Sequence, residues 1–123
     1  MGTRSAVTCQ PDRPDLPARA LIGRSQAARL EGVFKVLAND TRLRLLHALV
    51  RADQMCVSDL AEEVGMRAQA VSNQLQRLVD KGVVATRREG NRIWYRVLDS
   101  CVVELLDLAW CLTETPSGSG DTR

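Results

Sequence analysis

The chain has 123 residues, which suits one domain of ordinary size. Apolar residues make up 45% of it but aromatic residues only 3%, which favours aliphatic helix packing over a large β-sandwich. The formal net charge of +2 is too small to indicate a nucleic-acid partner, so that partner must be argued from clustered arginines. No apolar run could span a membrane and no signal peptide is visible, so we expect a reducing cytoplasm, where four cysteines serve as thiols or metal ligands.

Composition divides the chain into three parts. Residues 1–24 contain three prolines and no sustained periodicity, so they predict a flexible N-terminal arm, which carries Cys9. Residues 25–114 are expected to form the folded domain, and the Gly/Ser-rich residues 115–123 are expected to be a disordered tail.

Two helices are predicted at the start of the domain. Ser25 is expected to cap the first, which ends near Ala38, and Asp40 or Thr41 the second. His47 in the second helix is interpreted as structural, because a single helical histidine is seldom a ligand. Apolar residues at helical spacing are expected to face inward: Ala28, Val33, Phe34 and Leu37, then Leu43, Leu45, Leu46, Leu49 and Val50.

The next two helices have the spacing of a helix-turn-helix. A short helix over Val57–Val64 is followed by a glycine-containing turn and a longer helix that Gly82 ends. The longer helix has an apolar stripe of Val71, Leu75, Leu78 and Val79. The polar residues on and before it are of the types that contact DNA: Arg67, Gln69, Ser72, Asn73, Gln76 and Arg77.

A basic hairpin is predicted directly after this helix. Two short apolar runs are separated by Glu89-Gly90-Asn91, a hairpin turn signal, and the arms carry Arg87, Arg88 and Arg92. A polar-faced helix followed by such a hairpin indicates a mainly α winged helix-turn-helix, with the helix in the groove of double-stranded operator DNA and the wing on its phosphates. Taken alone, the same pattern also fits an amphipathic helix and an ordinary basic hairpin.

The last helix, which Asp99 or Ser100 should cap and which ends near Thr113, is apolar on nearly all sides. A domain this small offers little interior to cover it, so the helix predicts a subunit interface and a homodimer. The expected interface residues are Leu105, Leu106, Leu108, Ala109 and Leu112.

A resemblance to a known family rests on four segments in chain order: Phe34–Leu46 (FKVLANDTRLRLL), Cys56–Ala61 (CVSDLA), Ala70–Leu75 (AVSNQL) and Arg87–Tyr95 (RREGNRIWY). Together they resemble the ArsR/SmtB metal-sensing repressors over about residues 30–114. The resemblance implies a homodimeric winged-helix repressor, with its first and last helices at the interface. Such a repressor binds its operator and leaves it when metal binds.

The resemblance also implies two places for a metal, and the chain departs from the family at both. Ser58 follows Cys56 where thiolate sensors have the second cysteine of Cys-Val-Cys. Cys101 begins the last helix where zinc sensors have a histidine, and Leu112 and Thr115 occupy the remaining ligand positions of that site.

The candidate metal ligands are therefore the four cysteines: Cys101, Cys56, Cys111 and Cys9. Thiolates favour soft ions, so the expected effector is Hg²⁺, Cd²⁺ or Pb²⁺. Ten helical residues separate Cys101 from Cys111 by ~15 Å, so one helix cannot place both on one ion, whereas two antiparallel copies can. The thiolate sensors imply that Cys9 can join Cys56, and which cysteines bind together stays open.

Functions other than metal sensing also fit parts of this sequence. A thiol-redox repressor of the same fold, with Cys56 and Cys101 forming a disulfide, is the strongest alternative. A nucleoid-type DNA binder without an effector is another. An enzyme is disfavoured, because the chain has no Cys-x-x-Cys pair, a single histidine and no phosphate-binding glycine loop.

Overall fold

The computed structural model describes residues 14–114, and it contains a 3₁₀ turn, five helices and one two-stranded sheet. Cys9, the rest of residues 1–13 and the tail over 115–123 lie outside the described residues. The elements are the turn Leu16–Ala18, α1 Arg24–Leu37, α2 Asp40–Ala52, α3 Val57–Val64, α4 Ala68–Asp80, β1 Val84–Glu89, β2 Arg92–Val97 and α5 Ser100–Thr113. This order confirms the predicted winged helix-turn-helix. No helix within residues 14–114 is long and apolar enough to cross a bilayer.

The core lies between α2, α3, α4 and the hairpin. Leu37 closes it at the end of α1, whereas α5 contributes no buried residue. Fully buried side chains come from each central element: Leu45, Leu46, Leu49, Leu60, Val71, Leu75, Leu78 and Val84. The predicted apolar stripe of α4 therefore faces the interior, with Val79 at its edge.

The caps of the first two helices differ from the prediction. Gly23, not Ser25, is the N-cap of α1, and its backbone N–H donates to Gln26 Oε1 at 2.9 Å. The cap of α2 is Asn39 rather than Asp40 or Thr41, because Asn39 has extended backbone and its Oδ1 accepts from the Arg42 N–H at 3.0 Å. Both helices thus begin one or two residues before the position expected from side-chain type.

Five residues expected to face inward remain exposed, among them Ala28 of α1. Val33 and Phe34 of α1 are 37% and 49% exposed, and Leu43 and Val50 of α2 are each 38% exposed. Helical periodicity identifies an apolar surface but not what covers it. In the described chain these side chains form surface rather than core.

The helix-turn-helix follows the predicted boundaries. Gly65 ends α3 in the left-handed region at φ 72°, a conformation that glycine adopts without steric cost. After α4, Gly82 has φ 75° and the Val83 N–H donates to the Leu78 carbonyl at 2.9 Å. That turn leads the chain from α4 back into the core and starts the hairpin.

The hairpin pairs Val84 with Val97 through to Glu89 with Arg92, around a two-residue turn. Met55 adds a short bridge to its outer edge, since Met55 and Tyr95 exchange backbone hydrogen bonds of 3.1 and 2.9 Å. The segment that enters α3 is thereby fixed against the wing.

Candidate nucleic-acid interface and thiol sites

The face of α4 opposite the core carries most of the residues predicted to contact DNA. Val71, Leu75 and Leu78 turn the other face inward. Arg67, the N-cap of α4, is exposed together with Gln69, Asn73, Gln76 and Arg77, while Ser72 is half-buried. The arrangement presents donors and acceptors to solvent along one ridge, as groove reading requires.

Arginines of α2 hold the helix-turn-helix in place. The Arg42 guanidinium donates to Gln74 Oε1 of α4 at 2.7 Å and to the Val36 carbonyl of α1 at 2.6 Å. Arg44 Nη1 donates to the Val64 carbonyl at the end of α3 at 3.0 Å. Both helices of the motif are therefore tied to α2 by charge-assisted hydrogen bonds, which the sequence pattern did not reveal.

The wing has an aromatic centre that sequence reasoning missed. Two guanidinium groups lie against the Trp94 ring, with Arg87 Cζ 5.9 Å and Arg92 Cζ 5.6 Å from the ring centroid. Arg87 also donates to Gln54 Oε1 at 3.2 Å and pairs with Glu89 at 3.1 Å. The register explains the cluster, because Arg87 is the cross-strand partner of Trp94.

Arg88 and Arg92, both predicted to contact phosphates, lie on opposite faces of the hairpin. Arg88 pairs with Ile93, whereas Arg92 pairs with Glu89, and successive residues of a strand point to opposite faces. Both residues are exposed. A flat phosphate surface against one face of the wing would meet only one of them directly.

The thiol of Cys56 connects the helix-turn-helix to the wing. Cys56 is the N-cap of α3, is 6% exposed and is a free cysteine. Arg92 Nη1 donates to its Sγ at 3.7 Å. This contact joins residues 36 positions apart and depends on the pairing of Met55 with β2, so no local pattern indicated it.

The other described cysteines lie near the two ends of α5. Cys101 is half-buried at the start of the helix, where its backbone N–H donates to Asp99 Oδ1 at 2.8 Å, and Cys111 is exposed near the end. Asp99 is therefore the cap, one of the two residues predicted. Within residues 14–114 no group of three or more His, Cys, Asp or Glu side chains is placed to hold a metal ion. The free thiols of Cys56 and Cys111 suit a soft ion chemically, whereas Cys101 is disulfide-bonded, and the described part of one protomer does not assemble a three-donor site.

An apolar groove separates α2 from α5. Its volume is about 600 Å³, and Leu43 and Val50 line it together with Trp110. His47 contacts Trp110 edge to face, with ring centroids 5.2 Å apart. His47 thus packs against α5, in agreement with its structural interpretation.

The residues predicted for the dimer interface fall into two groups. Leu105 and Leu106 are half-buried and pack against the core of their own chain. Leu108 and Leu112 are 63% and 75% exposed, and Ala109 is also exposed. The uncovered part of α5 is therefore its C-terminal half.

A helix-turn-helix tied to a supporting helix, an exposed polar reading face and an arginine-bearing hairpin define a winged-helix DNA-binding regulator. Residues 39–86, from the cap of α2 into β1, match the family model for bacterial regulatory proteins of the arsR family. The chain belongs to this family, the ArsR/SmtB metal-sensing transcriptional repressors, and its relatives are regulators rather than enzymes.

Three comparisons describe the relatives. The crystal structure of the AntR antimony-specific transcriptional repressor matches with TM-score 0.74 and 53% identity, covering 87% of this chain and 96% of that one. The probable mercury resistance operon repressor of Streptomyces lividans is 39% identical over 64% of this chain and 62% of that protein. The homodimeric winged helix-turn-helix domain Mb0332 of Mycobacterium bovis matches with TM-score 0.68 and 31% identity, covering 80% of this chain and 94% of that one.

Proposed function

We propose that this protein is a homodimeric repressor that binds operator DNA when metal-free and releases it when its cysteines bind a soft, thiophilic ion. The observation that carries the proposal is the contact between the buried Cys56 thiol and the wing residue Arg92. The contact joins a thiol, the kind of group that a soft ion binds, to an exposed arginine of the wing. Ion binding at the Cys56 sulfur would therefore alter the position of the Arg92 side chain in the wing.

The dimer is supported by apolar surface that the described chain does not cover. Phe34 of α1, Leu108 and Trp110 of α5, and the rim of the α2–α5 groove are all substantially exposed. Exposed apolar surface on α2 and α5 around this groove supports an interaction site there. A second copy is its proposed occupant, and the relative from Mycobacterium bovis is itself homodimeric.

The proposed ligands are Cys101 and Cys56, together with Cys111 and Cys9. Across a two-fold axis, antiparallel α5 helices would place Cys101 level with the partner's Cys111, which overcomes their ~15 Å separation in one helix. Thiolates select soft ions over Mg²⁺ or Ca²⁺. The proposed effectors are Hg²⁺, Cd²⁺ and Pb²⁺, and the likeness to an antimony-specific repressor adds antimony(III).

The proposed coupling between ion binding and operator binding runs through the contact between Cys56 and Arg92. Ion binding at Cys56 Sγ uses a sulfur lone pair and adds a cation beside the Arg92 guanidinium, so the 3.7 Å contact between the two side chains changes. The Arg92 side chain, and its stacking contact with Trp94, would then rearrange. A coupling of about 3 kcal/mol would change operator affinity by more than a hundredfold.

Operator release by each of the four Cys→Ser variants tests the proposal. Serine has nearly the shape of cysteine but is a poor ligand for soft ions, and its hydroxyl can still accept from Arg92 in the Cys56→Ser variant. We therefore expect Cys101→Ser and Cys56→Ser to bind operator normally and to stay bound after addition of mercury or antimony(III). Ser58→Ala, an exposed change two residues from Cys56, is the matched control and should respond as the wild type does.

The same assay separates the redox alternative. Assays run in a phosphine reductant with each ion, and then with peroxide and no ion, distinguish metal sensing from thiol oxidation. Release by peroxide alone would favour the redox repressor of the same fold. Release by metal in the quadruple Cys→Ser variant would contradict cysteine-based sensing.

A further inference from the structure

The outward ridge of α4 is made of two hydrogen-bonded side-chain pairs. At 100° per residue, the line opposite Val71, Leu75 and Leu78 carries Gln69, Asn73, Gln76 and Asp80, all of them exposed. Gln69 Nε2 donates to Asn73 Oδ1 at 3.1 Å, and Gln76 Nε2 donates to Asp80 Oδ1 at 2.8 Å.

The first pair fixes the orientation of the Asn73 carboxamide. Because Oδ1 accepts from Gln69, it lies on the N-terminal side of the group, and Nδ2 points away from it. The oxygen keeps a second lone pair and Nδ2 keeps both protons, and no hydrogen bond engages them within residues 14–114. Asn73 thus presents one acceptor and one donor side by side, held in place before any DNA arrives.

The second pair gives the C-terminal half of the ridge a different character. Gln76 is turned toward Asp80, whose carboxylate adds a negative charge near the end of α4. This negative charge repels the phosphates of DNA. Recognition helices read bases with their N-terminal residues, and this charge distribution favours the same half of α4.

We propose that Asn73, positioned by Gln69, reads one adenine in each operator half-site. This inference rests on the proposed function, in which α4 enters the major groove. In that groove adenine presents an acceptor, N7, beside a donor, the N6 amino group. Asn73 Nδ2 donates to N7, and the remaining lone pair of Oδ1 accepts from N6.

The other bases match this side chain less well. Guanine presents two acceptors, so the amide oxygen would face O6 or N7 without a proton between them. Cytosine offers one donor, and thymine offers one acceptor beside a methyl group. Each base can therefore hydrogen-bond to only one of the two polar atoms of the carboxamide. Adenine is the base that uses both atoms of Asn73.

Selection of binding sites from random duplex DNA by the reduced, metal-free full chain tests the proposal. The wild type should select a palindrome with one adenine position per half-site that depends on Asn73. In Asn73→Ala that position should become degenerate while the rest of the motif persists. Discrimination there should fall about 5- to 150-fold, which corresponds to the ~1–3 kcal/mol of a bidentate base contact.

Two further variants test the roles of the atoms. Asn73→Asp keeps the shape but can only accept, so its preference should move from adenine toward cytosine, whose amino group donates. Gln69→Ala should keep adenine with weaker discrimination, because the carboxamide is no longer held. Ser58→Ala, an exposed change outside α4, is the control and should select the wild-type motif.

The outcomes distinguish this inference from the proposed function. If the wild type selects no motif, operator binding fails and adenine reading fails with it. If the wild type selects a motif that Asn73→Ala and Asn73→Asp both select unchanged, operator binding stands and the assignment of Asn73 is wrong.

Discussion

Replacing Leu108 by aspartate tests the surface on which the proposed dimer depends. Leu108 lies in the C-terminal half of α5 and is 63% exposed, so its side chain supports little of its own chain's core. Complete burial of a leucine contributes about 1.5–3 kcal/mol, so covering the exposed fraction contributes roughly 1–2 kcal/mol per protomer. A two-fold interface contains the residue twice, which gives roughly 2–4 kcal/mol for the dimer.

The dimer dissociation constant of Leu108→Asp should therefore rise by roughly 30- to 700-fold, and more where the new carboxylate is buried. Sedimentation velocity over a range of concentrations measures this change. Leu108→Met, which keeps apolar volume, is the matched control and should remain a dimer. An Asp variant that sediments as the wild type does, with a Tm unchanged, would refute the use of this face as the interface.

Three further changes follow from contacts of the described chain. Arg42→Ala removes charge-assisted hydrogen bonds to the Val36 carbonyl and to Gln74, so the free energy of unfolding should fall by about 2–4 kcal/mol in urea titrations; a loss under about 0.5 kcal/mol would show that neither bond matters. Asn39→Ala removes the cap of α2 and should lower the free energy of unfolding by about 1 kcal/mol; an unchanged free energy would show that the Asn39 side chain does not stabilise the helix. Arg92→Ala should weaken all duplexes and reduce the slope of log K against log salt by about 1; an unchanged slope would place this residue off the phosphates.

Much of the fold could be predicted from the sequence because its core stripes are local. The run of Val71, Leu75 and Leu78 marks one side of α4 whatever its neighbours are, and all three are fully buried. The Gly90-Asn91 turn likewise fixes the hairpin register within a few residues. Local chemistry decides these features, so local patterns predict them.

The predictions that were wrong concern residues whose burial or hydrogen bonding depends on tertiary contacts. Leu43 and Val50 are as apolar as Leu46, yet they line the α2–α5 groove instead of the core. Asn39 caps α2 in place of its equally suitable neighbours, because the backbone there is extended and its side chain reaches the Arg42 N–H. Neither outcome can be predicted from residue type alone.

The candidate sites show the same division. The exposed polar face of α4 could be predicted because it is the side of the helix opposite the apolar stripe. The Cys56–Arg92 contact could not, because it depends on tertiary pairing between the segment before α3 and the wing. Thiol ligands predicted from residue type lie on three separate parts of the chain, and among residues 14–114 they do not form a three-donor cluster in one protomer.

The operator affinity of the reduced wild-type protein, measured with and without a soft ion, tests the central claim most directly. The account predicts that mercury or antimony(III) weakens operator binding by about a hundredfold or more, and that operator DNA weakens ion binding by the same factor. An operator affinity that stays within about twofold across mercury, cadmium, lead and antimony, all shown to bind the protein, would contradict metal-controlled repression.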